Sequence, residues 1–140
     1  MTITGLPLHP LVIHAVVVLL PLMAVLTVLV GVRKSLRERV AWWVVAGNAV
    51  ILGTTILAKQ SGEDLQKTLG GKIALEHGQI GSLLPLFALV MLVASTAVAV
   101  TRRHRSLGPV AVIVSILASA AATFWTVRTG DSGARALWAR

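Results

Sequence analysis

The chain has 140 residues, of which 56% are hydrophobic and 13% charged, with a net charge of +8 and no cysteine. That composition is too apolar for a soluble domain of this size. The lack of thiols excludes disulfides, thiolate metal centres, iron–sulfur ligation and covalent c-type haem attachment by this chain.

Four runs, Leu11–Val32, Val40–Ala58, Gln79–Thr101 and Gly108–Val127, contain no Asp, Glu, Lys or Arg. Each is long enough to cross a hydrocarbon core of about 30 Å as a helix. None alternates with period 2, so the backbone must satisfy itself helically. The sequence thus predicts an all-α integral membrane protein, a four-transmembrane-helix bundle forming one membrane domain over residues 1–140. The first run lies near the start, but Met1–Pro10 has no Lys or Arg and the run is too long for a signal-peptide core. It is expected to stay in the mature protein.

In the first span, His14 stands about one turn inside a helix that Pro10 should open, while His9, just before that proline, belongs to the segment leading in. Pro21 should loosen the span by removing a backbone donor. The connection after it holds Arg33, Lys34, Arg37 and Arg39. The second span carries Trp42 and Trp43 at one end and Asn48, a helix-packing residue, in mid-membrane. A longer connection, Lys59–Glu76, balances Lys59, Lys67 and Lys72 against Glu63, Asp64 and Glu76, and allows a short surface helix over Glu63–Thr68 stopped by Gly70-Gly71. His77 opens the third span, which contains Pro85. Arg102, Arg103 and Arg105 fill the next turn, beside a solvated His104. The fourth span is rich in small residues and ends at Arg128, Gly130 and Asp131, with Trp138 beyond.

Both short turns are basic, so by the positive-inside rule they are cytoplasmic and both termini lie outside, in a multi-pass arrangement. This placement also accounts for the positive charge without a nucleic-acid partner. Short turns make each half, about 1–70 and 71–140, an antiparallel hairpin. The halves resemble each other. His14 precedes Leu19-Leu20-Pro21-Leu22 and His77 precedes Leu83-Leu84-Pro85-Leu86; a basic turn, a second span and a polar stop follow, Ser61-Gly62-Glu63 in one half and Thr129-Gly130-Asp131 in the other. A parallel two-helix repeat is the reading.

The alternating directions gather His9, His14, Glu63, Glu76, His77 and Asp131 at the outer face. Imidazoles matched across two halves can give both axial ligands of a haem iron, or two of the ligands of a smaller transition metal, with His9 a further donor. Arg128 could hold a haem propionate or pair with Asp131. Glu63, Glu76 and Asp131 could orient an imidazole N–H or take up protons beside it.

The opening Gly5-Leu6-Pro7-Leu8-His9-Pro10 with His14 beyond it, the Glu76-His77-Gly78 start of the third span, and the closing Thr129-Gly130-Asp131-Ser132-Gly133-Ala134 with Trp138 resemble a bacterial four-helix membrane family known as domain of unknown function 2231. The resemblance covers nearly the whole chain. Some members are joined to Rieske-type or cytochrome c-like domains, so it implies redox work at the outer face of the bacterial inner membrane. This chain carries no such domain, which implies a separate partner. The family's closing motif often has a histidine where Asp131 stands here, and that difference leaves the fourth corner without an imidazole.

The expectation is a small membrane redox protein that binds haem b through His14 and His77 and passes electrons to a partner or the quinone pool. It would be an electron carrier more than a stand-alone enzyme, with no catalytic residue of its own. The alternatives are a cofactor-free accessory subunit of a larger respiratory complex, and a metal- or proton-handling membrane protein. Its surroundings are the lipid bilayer and such a partner; homo-oligomerisation is left open.

Overall fold

The computed structural model describes residues 2–3, 6–71 and 74–138. Gly5 of the opening motif and Lys72 of the long connection lie outside the described residues. After a two-residue antiparallel pairing of β1 (Thr2–Ile3) with β2 (Leu6–Pro7), the chain is helical: α1 Leu8–Val32, α2 Lys34–Thr68, α3 Leu75–Gly81, α4 Leu84–Thr101 and α5 Leu107–Trp138. Four helical segments, with α3 and α4 counted as one, are long and apolar enough to cross a membrane.

Helices α1 and α4 each pack against both α2 and α5, so the bundle runs α1–α2–α4–α5 around a square, with α1 opposite α4 and α2 opposite α5. Between helices in lipid there is little hydrophobic driving force, and close approach of small side chains takes its place. Accordingly the interior holds Ala24, Ala58, Ala88, Ala94, Ala99, Ala111, Ala118 and Ala122, while Val18, Leu22, Val93 and Leu117 point outward as a lipid-facing surface would. One apolar cluster joins Val12, Val16, Leu20, Ile51, Leu84, Ala88 and Met91; a smaller one, of Val30, Ala41, Val44 and Ala99, lies near the basic turns. There Arg37 donates to the Gly31 carbonyl (2.9 Å) and Arg102 to that of Ala99 (3.2 Å), occupying acceptors that the last turns of α1 and α4 leave free.

The helices overrun the apolar runs at the opposite end, the histidine end. α2 continues through Ser61-Gly62-Glu63 to Thr68, and α5 through Thr129-Gly130-Asp131 to Trp138. Neither polar stop ends a helix, and Glu63–Thr68 is the last part of α2 instead of a separate surface helix. The expected stop at Gly70-Gly71 is where α2 closes: Gly71 N–H donates to Gln66 O and Gly70 N–H to Lys67 O, with φ of 77° and 87° that glycine adopts without a Cβ clash.

Pro21 sits inside a continuous α1. Pro85 marks a break, because α3 ends at Gly81 and α4 restarts with proline in its first turn. The Ile80 carbonyl beside this break accepts from Trp125 Nε1 at 2.8 Å, and the indole stacks on Phe87 with ring centres 5.0 Å apart. A neighbouring helix thus satisfies a carbonyl at the break. Trp125→Phe keeps the stacking and loses the bond. It is expected to cost about 1 kcal/mol, read as an earlier midpoint in a detergent-unfolding titration; an unchanged midpoint would show that the bond does not hold α3.

Candidate functional site

The histidine end brings His9 and His77 together, their ring centroids 6.1 Å apart and their planes inclined at 69°. His9 stands in the first turn of α1, which begins at Leu8, so it is a helical residue and not part of a leading segment. His77 stands in the first turn of α3. The histidine-end turns of α2 and α5 wall the pair and supply the hydrogen-bond partners of both rings.

The two environments match contact for contact. His9 Nδ1 lies 3.0 Å from the Ala58 carbonyl and 3.4 Å from Ser61 Oγ; His77 Nδ1 lies 3.2 Å from the Thr129 carbonyl and 3.1 Å from Ser132 Oγ. Each serine hydroxyl donates to the same carbonyl, at 3.1 and 2.8 Å. A carbonyl oxygen only accepts, so in the neutral ring each Nδ1 carries the hydrogen and each Nε2 keeps its lone pair. That is the tautomer of a histidine ready to bind a metal through Nε2.

Glycine sets how close each ring can come. A Cβ on Gly62 would lie 2.9 Å from His9 Cε1, and one on Gly133 3.0 Å from His77 Cε1. Each imidazole therefore rests on a Ser-Gly pair of the second helix in its own hairpin. Seventy-one residues separate Ala58 from Thr129, Ser61 from Ser132 and Gly62 from Gly133; sixty-eight separate His9 from His77 and Met23 from Met91.

His14 lies elsewhere. It is exposed on α1, and its Nδ1 meets the Pro10 carbonyl one turn earlier. The partner that the structure gives His77 is His9. Among the described residues none of the three carboxylates expected to orient an imidazole does so: Glu63 is exposed and 4.0 Å from Lys59, Asp131 pairs with Arg135 at 2.7 Å, and Glu76 is exposed in the first turn of α3. Backbone carbonyls and serines hold that position. Arg128 is exposed, with its guanidinium 5.2 Å above the Trp125 ring, and its expected partner Asp131 is taken by Arg135.

Two clefts meet at His77. One, of about 320 Å³, includes His9 and His77 and is walled by Ile13, Leu65, Leu69, Leu75 and Leu84. The other, of about 720 Å³, brings Arg128, Asp131, Ser132 and Arg135 to the far side of His77. Among the described residues no group of three His, Asp or Glu side chains is close enough to hold a metal by protein ligands alone. The site therefore offers two imidazoles, an apolar wall and a margin of charged side chains of both signs.

Sequence reasoning missed Ser61, Gly62, Ser132 and Gly133 as the groups against which the imidazoles rest, and Trp125 as the partner of the Ile80 carbonyl. The repeated Ser-Gly pair was the available signal, since it recurs at one spacing in both halves.

The family described as predicted membrane protein (DUF2231) matches residues 5–140. No curated protein and no solved structure matches the chain.

Proposed function

This chain belongs to the DUF2231 family of membrane proteins, and we propose that it is a small redox protein in which His9 and His77 would hold a b-type haem. The observation that carries this reading is the spacing of the two rings. Imidazoles bound on opposite sides of one metal at about 2 Å each have ring centres roughly 6 Å apart, and these centroids are 6.1 Å apart. With two imidazoles and no third protein donor in reach among the described residues, the fitting class of cofactor is one that brings its own equatorial nitrogens. A haem would supply an iron able to exchange single electrons with a partner protein or the quinone pool.

The chain's own residues do the rest. The Ala58 and Thr129 carbonyls fix each ring's tautomer and raise the basicity of Nε2. The leucine-lined cleft lowers the local dielectric and restricts water. Arg128, held over Trp125, would supply positive charge for a propionate at the margin, whereas Lys59 is 4.0 Å from Glu63. The matched contacts of His9 and His77 support a repeat of two hairpins, each bringing one ligand and its support to a shared site.

We place the histidine end outside the cytoplasm of a bacterial inner membrane, because both turns at the other end are basic. The absence of cysteine makes this testable with single thiols: Gln60→Cys should react with a membrane-impermeant maleimide in intact spheroplasts, and Ser106→Cys only after permeabilisation. The reverse pattern would invert the topology. For the cofactor, protein purified from haem-replete membranes is expected to contain one b-type haem per chain by the alkaline pyridine assay. Protein that stays colourless after addition of haemin would overturn the assignment and favour a cofactor-free accessory subunit.

A further inference from the structure

Midway along the bundle, away from the histidines, lies a layer of buried polar side chains. Asn48 of α2 is fully buried, and its Nδ2 donates to Thr27 Oγ1 of α1 and to Ser95 Oγ of α4, both at 3.0 Å. Those hydroxyls in turn donate to the carbonyls of Met23 and Leu92 within their own helices. The amide nitrogen is thus fully used while Asn48 Oδ1, equally buried, has no partner among the described residues. The other orphan in the spans is Ser119 Oγ of α5, on a residue that is 2% exposed.

The two orphans lie at one level. A Cβ on Gly31 would come within 3.2 Å of Ser115 Oγ, which fixes the register of α1 against α5. These helices are antiparallel, so one turn toward the histidine end brings Thr27 of α1 level with Ser119 of α5. Thr27 already touches Asn48. Asn48 and Ser119 therefore stand at one level, both buried, on the opposite corners of the square that α2 and α5 occupy. The repeat spacing agrees: Asn48 and Ser119 differ by seventy-one residues, as the two Ser-Gly pairs do, and Thr27 and Ser95 by sixty-eight, as the two histidines do.

Asn48 and Ser119 thus occupy matching places, but the side chain at 119 is shorter by an amide group. We infer that this layer is an internal water-binding site, in which a water molecule accepts from Ser119 Oγ–H and donates to Asn48 Oδ1. One orphan is an acceptor only and the other can donate, and water is the smallest species that satisfies both at once. The site is independent of any cofactor at the histidine end. In lipid, where an unmet polar atom has no solvent to turn to, it gives both buried orphans a hydrogen-bond partner.

Water-edited solid-state NMR on the bilayer-reconstituted protein tests this. The Asn48 side-chain amide should gain magnetisation from water severalfold faster than amide protons of Leu20 and Ala88, which are equally buried in the apolar cluster nearby. Ser119→Val, which replaces the hydroxyl with methyl groups and so removes the donor, should bring Asn48 down to their rate with the remaining spectrum in place. Build-up at Asn48 no faster than at Leu20 and Ala88 in the wild-type protein would overturn the inference, whether or not the variant folds, and would mean that Ser119 turns its hydroxyl back onto its own helix. A fast build-up left unchanged in a folded Ser119→Val protein would also overturn it, because the water would then be held by other groups.

Discussion

His9→Ala and His77→Ala are each expected to abolish the low-spin haem spectrum of the purified protein, while His14→Ala leaves it intact. His9 and His77 are paired across the site, and one cannot substitute for the other because each is tied to its own carbonyl, Ala58 or Thr129. Loss of either should leave iron with a single protein ligand, visible as a shifted, weakened Soret band, and haem that washes out on dilution. His14 is exposed and turned back toward Pro10, outside the cleft that holds the pair. If His14→Ala removes the spectrum and His9→Ala does not, the assignment of ligands is wrong.

The second large effect separates the site from the fold. Gly62→Ala and Gly133→Ala each add a methyl group 2.9 or 3.0 Å from an imidazole Cε1, so the ring must shift by a few tenths of an ångström and its bond to the carbonyl is disturbed. Disturbing the groups that orient a metal-bound histidine typically weakens metal binding by about 10- to 100-fold, and a loss of that order in haem affinity is expected from titration with haemin. Both glycines lie inside long helices, where alanine is preferred over glycine by about 1 kcal/mol. Thermal stability of the haem-free protein should therefore hold or rise while affinity falls. A fall in both would mean that the glycines serve only helix packing.

Much of the architecture was legible because it follows from one constraint, the lack of solvent for the backbone in lipid. Runs free of Asp, Glu, Lys and Arg mark four helices, and short basic turns pair them as hairpins. Helix ends were less legible. Gly62 and Gly130 look like stops when read as isolated residues after an apolar run, yet α2 and α5 carry on past them. What the glycine at 62 provides is room for a ring on another helix, a tertiary requirement that local sequence does not state.

The same cause displaced the candidate ligand. The Leu-Leu-Pro-Leu motif draws attention to His14 as the counterpart of His77, and a helix starting at Pro10 leaves His9 outside it. α1 starts at Leu8, which puts His9 in its first turn, and the spacing of the Ser-Gly pairs on the other helices of each hairpin is what matches His9 with His77. Carboxylates were also the natural candidates to orient an imidazole. Carbonyls near the ends of α2 and α5 do it instead, and no side-chain pattern reveals a backbone acceptor. Trp125 reads as one more aromatic in an apolar span until the break before Pro85 exposes the Ile80 carbonyl that it meets.

The most direct test of the central claim is the low-temperature electron paramagnetic resonance spectrum of the oxidised, detergent-purified protein after saturation with haemin. Two imidazoles held as His9 and His77 are should give the rhombic or highly anisotropic low-spin ferric signal of bis-histidine ligation. An axial high-spin signal, or no bound iron at all, would contradict the account.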